Sequence, residues 1–178
     1  VPCPSKDEKA EAELIMRKLD ELGIEYKMDN VNEKTGGNCG NIWAYIKGTV
    51  SDAPKLLFEA HMDSVAPTTG TKVVRKDGVL YSDGTTTLGG DDKVGVAGML
   101  EAVRALKEDN VAHGDVQLLF TVSEEIGCLG VVHLDKSFIK ADYGYCMDIG
   151  GAPGEITYAA PKLYDCLLYT SDAADDLI

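Results

Sequence analysis

The chain has 178 residues, enough to bury a core, and its 44% hydrophobic and 26% charged content is that of a globular rather than a disordered protein. Acidic residues number 30 and basic residues 17, a formal net charge of −13 that argues against nucleic acid or an anionic membrane as the partner. No apolar run reaches the roughly 18–20 residues of a membrane span.

The five cysteines form no C-x-x-C pair, so neither a disulfide framework nor a cysteine zinc knuckle is indicated, and a reducing cytoplasm is expected. The sequence opens Val-Pro-Cys-Pro without a Met, and truncation at both ends is expected.

In chain order, Ser5-Lys6-Asp7-Glu8 has the spacing of a capping box, with the Ser5 hydroxyl set to accept from a backbone N–H and Glu8 to reach back. A helix is predicted from there to about Leu22, burying Ala12, Ile15, Met16, Leu19 and Leu22, with Gly23 as its terminating residue. Strands are predicted over 24–28, 41–46 and 55–60. In the last of these, Leu56-Leu57-Phe58 reads as a strand buried on both faces. Segments 72–75 and 79–81 flank Lys76-Asp77-Gly78, a hairpin signal. A Gly/Thr loop spans 84–90, and a helix follows from about Asp92 through Leu106. Then come a strand at 116–122, a short helix at 128–134, a strand at 143–147 and one more strand at 155–159. Strands alternating with helices give an α/β class with a mostly parallel central sheet.

Four predicted strand or loop ends deliver metal-capable residues. The strand 55–60 runs into His61-Met62-Asp63. The loop 84–90 ends in Asp91-Asp92-Lys93. The strand 116–122 runs into Ser123-Glu124-Glu125, and the strand 143–147 into Asp148. Ligands of an open parallel sheet gather outside the carboxyl ends of its strands, which would bring His61, Asp91, Glu125 and Asp148 to one edge. Three carboxylates in one pocket cannot all stay ionised without a cation. Imidazole with carboxylate suits zinc, manganese or cobalt better than calcium. Asp63 is spaced to orient the His61 ring, and Glu124 is left free as a general base. Taken singly, each residue also reads as a solvated turn, and Asp91-Asp92 as helix N-cap chemistry. A non-catalytic metal-binding domain therefore stands as an alternative to an enzyme.

The segments Phe58-Glu-Ala-His61-Met-Asp63-Ser-Val-Ala-Pro67, Leu88-Gly-Gly-Asp91-Asp-Lys93-Val-Gly95, Phe120-Thr-Val-Ser-Glu124-Glu125-Ile-Gly127 and Met147-Asp148-Ile-Gly-Gly resemble, in order and spacing, the peptidase T branch of the dinuclear zinc aminopeptidase/aminoacylase family. The resemblance covers residues 1–164, about the first half of a full-length member. It implies a three-layer zinc-peptidase-like sandwich and a tripeptide aminopeptidase activity with two zinc ions. His61 and Asp148 would bind one zinc, Glu125 the second, and Asp91 both. Asp63 would orient His61, and Glu124 would be the general base. A cis peptide is implied after Asp91. The resemblance also implies a homodimer through an inserted lid domain, and a further His ligand from the far part of the catalytic domain. Neither is in these 178 residues, and His113 and His133 stand in no matching motif, so the chain by itself is expected to be nearly inactive.

Within the same superfamily, an amidohydrolase of N-acylated amino acids or a dipeptidase is the alternative. Residues 1–165 are thus assigned to a partial catalytic domain. Residues 166–178 resemble translated adapter sequence and are expected to lie outside the fold. No phosphate loop, G-x-G-x-x-G, H-E-x-x-H or G-x-S-x-G motif is present.

Overall fold

The apolar stripe of the first helix and the apolar run of the second meet on one face of a sheet. The computed structural model describes residues 1–152 and 154–159, so the 166–178 tail lies outside the described residues. Two units divide the chain, 1–148 and 149–178.

In the first unit, α1 (Lys9–Glu21) buries Ala12, Ile15 and Leu19, as its spacing predicts. Gly23, at φ +63°, ends it in the left-handed conformation that suits glycine. The expected capping box is not formed: no side chain of the N-cap residue Glu8 bonds the helix. Asn38, from another loop, instead accepts from the Lys9 N–H at 3.0 Å.

The strands are β1 (Glu25–Met28), β2 (Ile42–Ile46), β3 (Leu56–His61), β4 (Val73–Lys76), β5 (Val79–Ser82), β6 (Val116–Thr121) and β7 (Tyr143–Cys146). A five-stranded sheet has the order β1-β2-β6-β3-β7, and β4–β5 is a separate hairpin. β3 is parallel to both β6 and β7, while β2 is antiparallel to β1 and β6. Four strands therefore share one direction and β2 alone is reversed, which keeps the mostly parallel character.

Between β1 and β2 lies a single helical turn, α2 (Asn32–Thr35). The long helix α3 (Gly90–Glu108) follows the hairpin, and α4 (Leu129–Val132) with a 3-10 turn at Lys136–Phe138 follows β6.

α1 and α3 cover one sheet face. Ile15, Leu19, Val96, Met99 and Val103 pack there with Ile42, Ala60, Leu118 and Phe120. On the other side Trp43 meets the Phe138 ring edge-on at 5.7 Å. β6 is buried along its whole length. β3 is not: Leu56–Glu59 are half-buried, because its neighbour β7 is exposed throughout. The expected burial on both faces therefore holds for β6 rather than β3. No helix among the described residues is long and apolar enough to cross a membrane.

In the second unit, the described residues form bends and a turn, with the Glu155 N–H donating to the Ala152 carbonyl at 3.1 Å. The strand expected at 155–159 is absent among them: these residues find no ladder neighbour, and a lone strand leaves its backbone groups unpaired.

Candidate metal centre

Three parallel strands end side by side, and their following residues turn towards one another. His61 closes β3 and pairs in register with Thr121 of β6. Glu124 and Glu125 follow β6 by three and four residues, and Asp148 follows β7 by two.

Asp91 arrives at the start of α3. Asp91 and Asp92 have non-helical φ/ψ, and regular helix begins after them. The Asp91–Asp92 peptide is cis, as the resemblance implied. Asp92 Oδ1 accepts from the Gly95 N–H at 3.1 Å, so Asp92 acts as the N-cap of the regular helix. Asp91 is left 71% exposed in its side chain and faces the histidine.

The His61 ring is 1% exposed. Its Nε2 lies 3.1 Å from Asp91 Oδ1, 3.8 Å from Asp148 Oδ2 and 4.0 Å from Glu124 Oε2. Its Nδ1 is 3.0 Å from the Asp63 carbonyl and 3.4 Å from Asp63 Oδ1. Two trios place one donor atom each within 4.8 Å of one another: His61, Asp91 and Glu125, and His61, Glu124 and Asp148. The structure thus brings together His61, Asp91, Glu124, Glu125 and Asp148. His113, bonded to the Gly114 carbonyl, and the exposed His133 stand in neither trio.

The electrostatics follow from crowding. Burial of the His61 ring opposes its charge, but hydrogen bonds to Asp63 and Asp91, with the charges of Asp63 and Asp148, outweigh it and raise its pKa to about 10. Asp148 is pushed up to about 6, first by burial and then by Asp91 beside it. Burial and the Asp91 charge raise Glu125 as well. Asp63 moves the other way. Burial opposes its ionisation, yet His61, the Ser5 hydroxyl and the N–H groups of Glu124 and Glu125 together hold its carboxyl below the usual range.

Among the described residues, no Lys or Arg forms an ion pair with Asp91, Glu124, Glu125 or Asp148. One imidazole nitrogen and four carboxylates converging without a fixed cation fit a divalent metal ion.

The sequence model of peptidase family M20/M25/M40 matches residues 57–162, the stretch that carries every one of these residues. The chain belongs to this family. The Bacillus subtilis protein YqjE is 42% identical over 161 residues, which are 90% of this chain and 43% of the relative. A peptidase T of Clostridium perfringens is 32% identical, over 77% of this chain and 41% of the relative. Among solved structures, the aminopeptidase PepT of Bacillus cereus superposes with a TM-score of 0.82 at 40% identity, over 85% of this chain and 40% of that one. A tripeptidase of Staphylococcus aureus superposes at 0.81 with 35% identity, over the same shares. The chain therefore spans about two-fifths of the length of the relatives it matches. The resemblance to the peptidase T branch and the α/β sandwich that it implied are borne out.

Other residues that bear on the site escaped the sequence reading. Cys128 Sγ lies 3.4 Å from Glu124 Oε1, and Lys93 Nζ donates to Ser64 Oγ at 2.6 Å beside Asp91. Glu8 reaches Ser123, 115 residues away, and Ser5 reaches Asp63. No spacing rule links residues so far apart, although Ser5 and Glu8 have the spacing of a cap.

Proposed function

We propose that this chain is the metal-binding part of a zinc-dependent aminopeptidase that removes the N-terminal residue from short peptides, tripeptides foremost. The observation that carries the reading is the convergence of His61, Asp91, Glu124, Glu125 and Asp148 from four separated segments onto one sheet edge. The names of the matched relatives, peptidase T and tripeptidase, support the substrate class.

His61 and Asp148 would hold one ion and Glu125 the other, with Asp91 shared between them. The donor set suits zinc, with manganese or cobalt as the alternatives. When bound, such ions supply Lewis-acid polarisation of a peptide carbonyl and water acidic enough to lose a proton near neutral pH.

The protein's own groups do the rest. Asp63 holds the His61 ring through Nδ1 and leaves Nε2 facing the carboxylates. Glu124 accepts a proton at its carboxylate as water attacks the scissile carbonyl, then returns that proton to the departing amine.

His61 is the one histidine of the three in the cluster. We therefore expect the 178-residue chain alone to hold one zinc ion firmly and to turn over little, because a second site with too few protein ligands binds weakly.

The test uses the protein extended to the length of its relatives. Chelation should abolish cleavage of a tripeptide with a free N-terminus, and added zinc should restore it. Activity that survives removal of all metal would overturn the metal assignment. Faster hydrolysis of an N-acetylated amino acid than of the tripeptide would overturn the substrate assignment.

A further inference from the structure

Ser5 and Glu8, spaced as a helix cap, lie instead beneath the catalytic turn. The segment preceding α1 runs beside the residues that follow β3. The Ser64 N–H donates to the Cys3 carbonyl at 3.0 Å, Cys3 Sγ donates to the Met62 carbonyl at 3.0 Å, and Pro4 bridges Ser64. From this rail, Ser5 Oγ donates to Asp63 Oδ2 at 2.5 Å.

Glu8 is wholly buried, and its Oε1 accepts from the Lys6 N–H at 2.9 Å, the Ser123 N–H at 2.9 Å and the Ser123 hydroxyl at 3.1 Å. Its other oxygen, also buried, has no partner among the described residues.

The consequence lies in the backbone after β6. Three successive amides each donate to a buried carboxylate: Ser123 to Glu8, Glu124 to Asp63 Oδ1 at 3.0 Å, and Glu125 to Asp63 Oδ2 at 3.2 Å. Ser123 is fully buried and has φ +56°, a left-handed conformation that a side-chain-bearing residue rarely adopts without support. That conformation sets the direction in which Glu124 and Glu125 leave the sheet. A carboxylate with three donors on one oxygen is a fixed anchor for it.

We propose that Glu8, with Ser5 acting through Asp63, is a positioning residue of the active site: it locks the Ser123–Glu125 turn in the geometry that aims Glu124 and Glu125 at the metal centre. Neither residue touches substrate. The inference rests on the functional reading above for what Glu124 and Glu125 do, but not for how their backbone is held.

The experiment pairs kinetics with amide hydrogen exchange, both on the protein extended to the length of its relatives. Exchange is followed on the metal-free form, so it needs no turnover. Glu8→Ala should speed exchange at 123–125 selectively and lower kcat about 10- to 100-fold with KM within about twofold, as expected for a misaimed group. Glu8→Gln keeps an acceptor for all three donors and should recover most of that loss.

Should Glu8→Ala fail to fold, Ser5→Ala serves. It should speed exchange at Glu124 and Glu125 more than at Ser123, and lower kcat with little change in KM. Unchanged exchange at the turn, acceleration spread evenly over the molecule, or undiminished kcat in the variant tested would overturn the proposal. Undiminished activity in Glu124→Gln would instead sink the catalytic reading and leave the exchange result standing.

Discussion

At Asp91 and Asp92, adjacent carboxylates are turned to different tasks. Asp92 is buried, caps α3 and has its pKa raised to about 6, chiefly by burial, whereas Asp91 projects into the cluster. Asp92→Ala should cost about 1 kcal/mol in urea unfolding, the usual worth of an N-cap, and Asp92→Asn less, since an amide oxygen can still accept from Gly95.

On the proposed reading Glu124 and Glu125 divide in the same way, one towards proton transfer and one towards metal. Glu124→Gln should lower kcat by about 10²- to 10⁴-fold, the range of a general base, while zinc content measured by atomic absorption stays unchanged.

A further carboxylate, Glu11, is 5% exposed on α1 with an unpartnered oxygen, and burial raises its pKa above the ordinary 4.5. A raised carboxyl pKa means that the folded state binds more proton than the unfolded one. Its cost is therefore absent at low pH and grows as pH rises from 4.5 through the raised value. Urea unfolding of Glu11→Gln between pH 4 and pH 7 should show that this part of the pH slope is gone. An unchanged slope would assign it to other groups.

The turn after β6 has to be tight at both ends. Gly130 donates its N–H to the Val122 carbonyl, and a Cβ there would stand 2.4 Å from that oxygen and 2.6 Å from Asn41 Oδ1. Asn41 is fully buried and bonds both the Val122 N–H and the Gly130 carbonyl, so it has no room to withdraw. Gly130→Ala should lower stability by roughly 1–3 kcal/mol, as overpacking does, and a thermal melt within a degree of the parent would contradict this.

At this scale the sequence was readable where burial leaves a periodic trace. α1, α3, β2 and β6 were legible from their apolar spacing, and the candidate residues His61, Glu124, Glu125 and Asp148 stand out by their places after strand ends, Asp91 by its place after a Gly/Thr loop. α2 is four residues of Asn-Glu-Lys-Thr with no apolar period to betray it, and the 3-10 turn declares itself only through the packing of Phe138 on Trp43. The roles of Ser5 and Glu8 were misread because their partners stand 58 and 115 residues away, while the capping rule looks only along the chain.

Across the whole molecule, the candidate ligands come from elements far apart in the chain. His61 ends β3, Glu125 follows β6, Asp148 follows β7 and Asp91 opens α3. A cation bound among them would crosslink four segments and relieve the repulsion that, after burial, raises Asp148 and Glu125. An ion that binds only the folded state stabilises it by about 2.7 kcal/mol at a hundredfold excess over its Kd. For a chain of this size that is a rise in Tm of roughly 5–10 °C.

The net charge of −13 offers a competing explanation, since any cation screens a repelling surface. The two effects separate by ion and by residue. Micromolar zinc should raise Tm while the same concentration of magnesium, a hard ion that prefers oxygen ligands and keeps its water, should not. In His61→Ala the zinc response should vanish, whereas screening would survive, because the substitution removes none of the acidic groups. Equal shifts with zinc and magnesium, or a zinc shift undiminished in His61→Ala, would mean that the carboxylates act as a diffuse acidic surface and that the five residues do not form a metal centre.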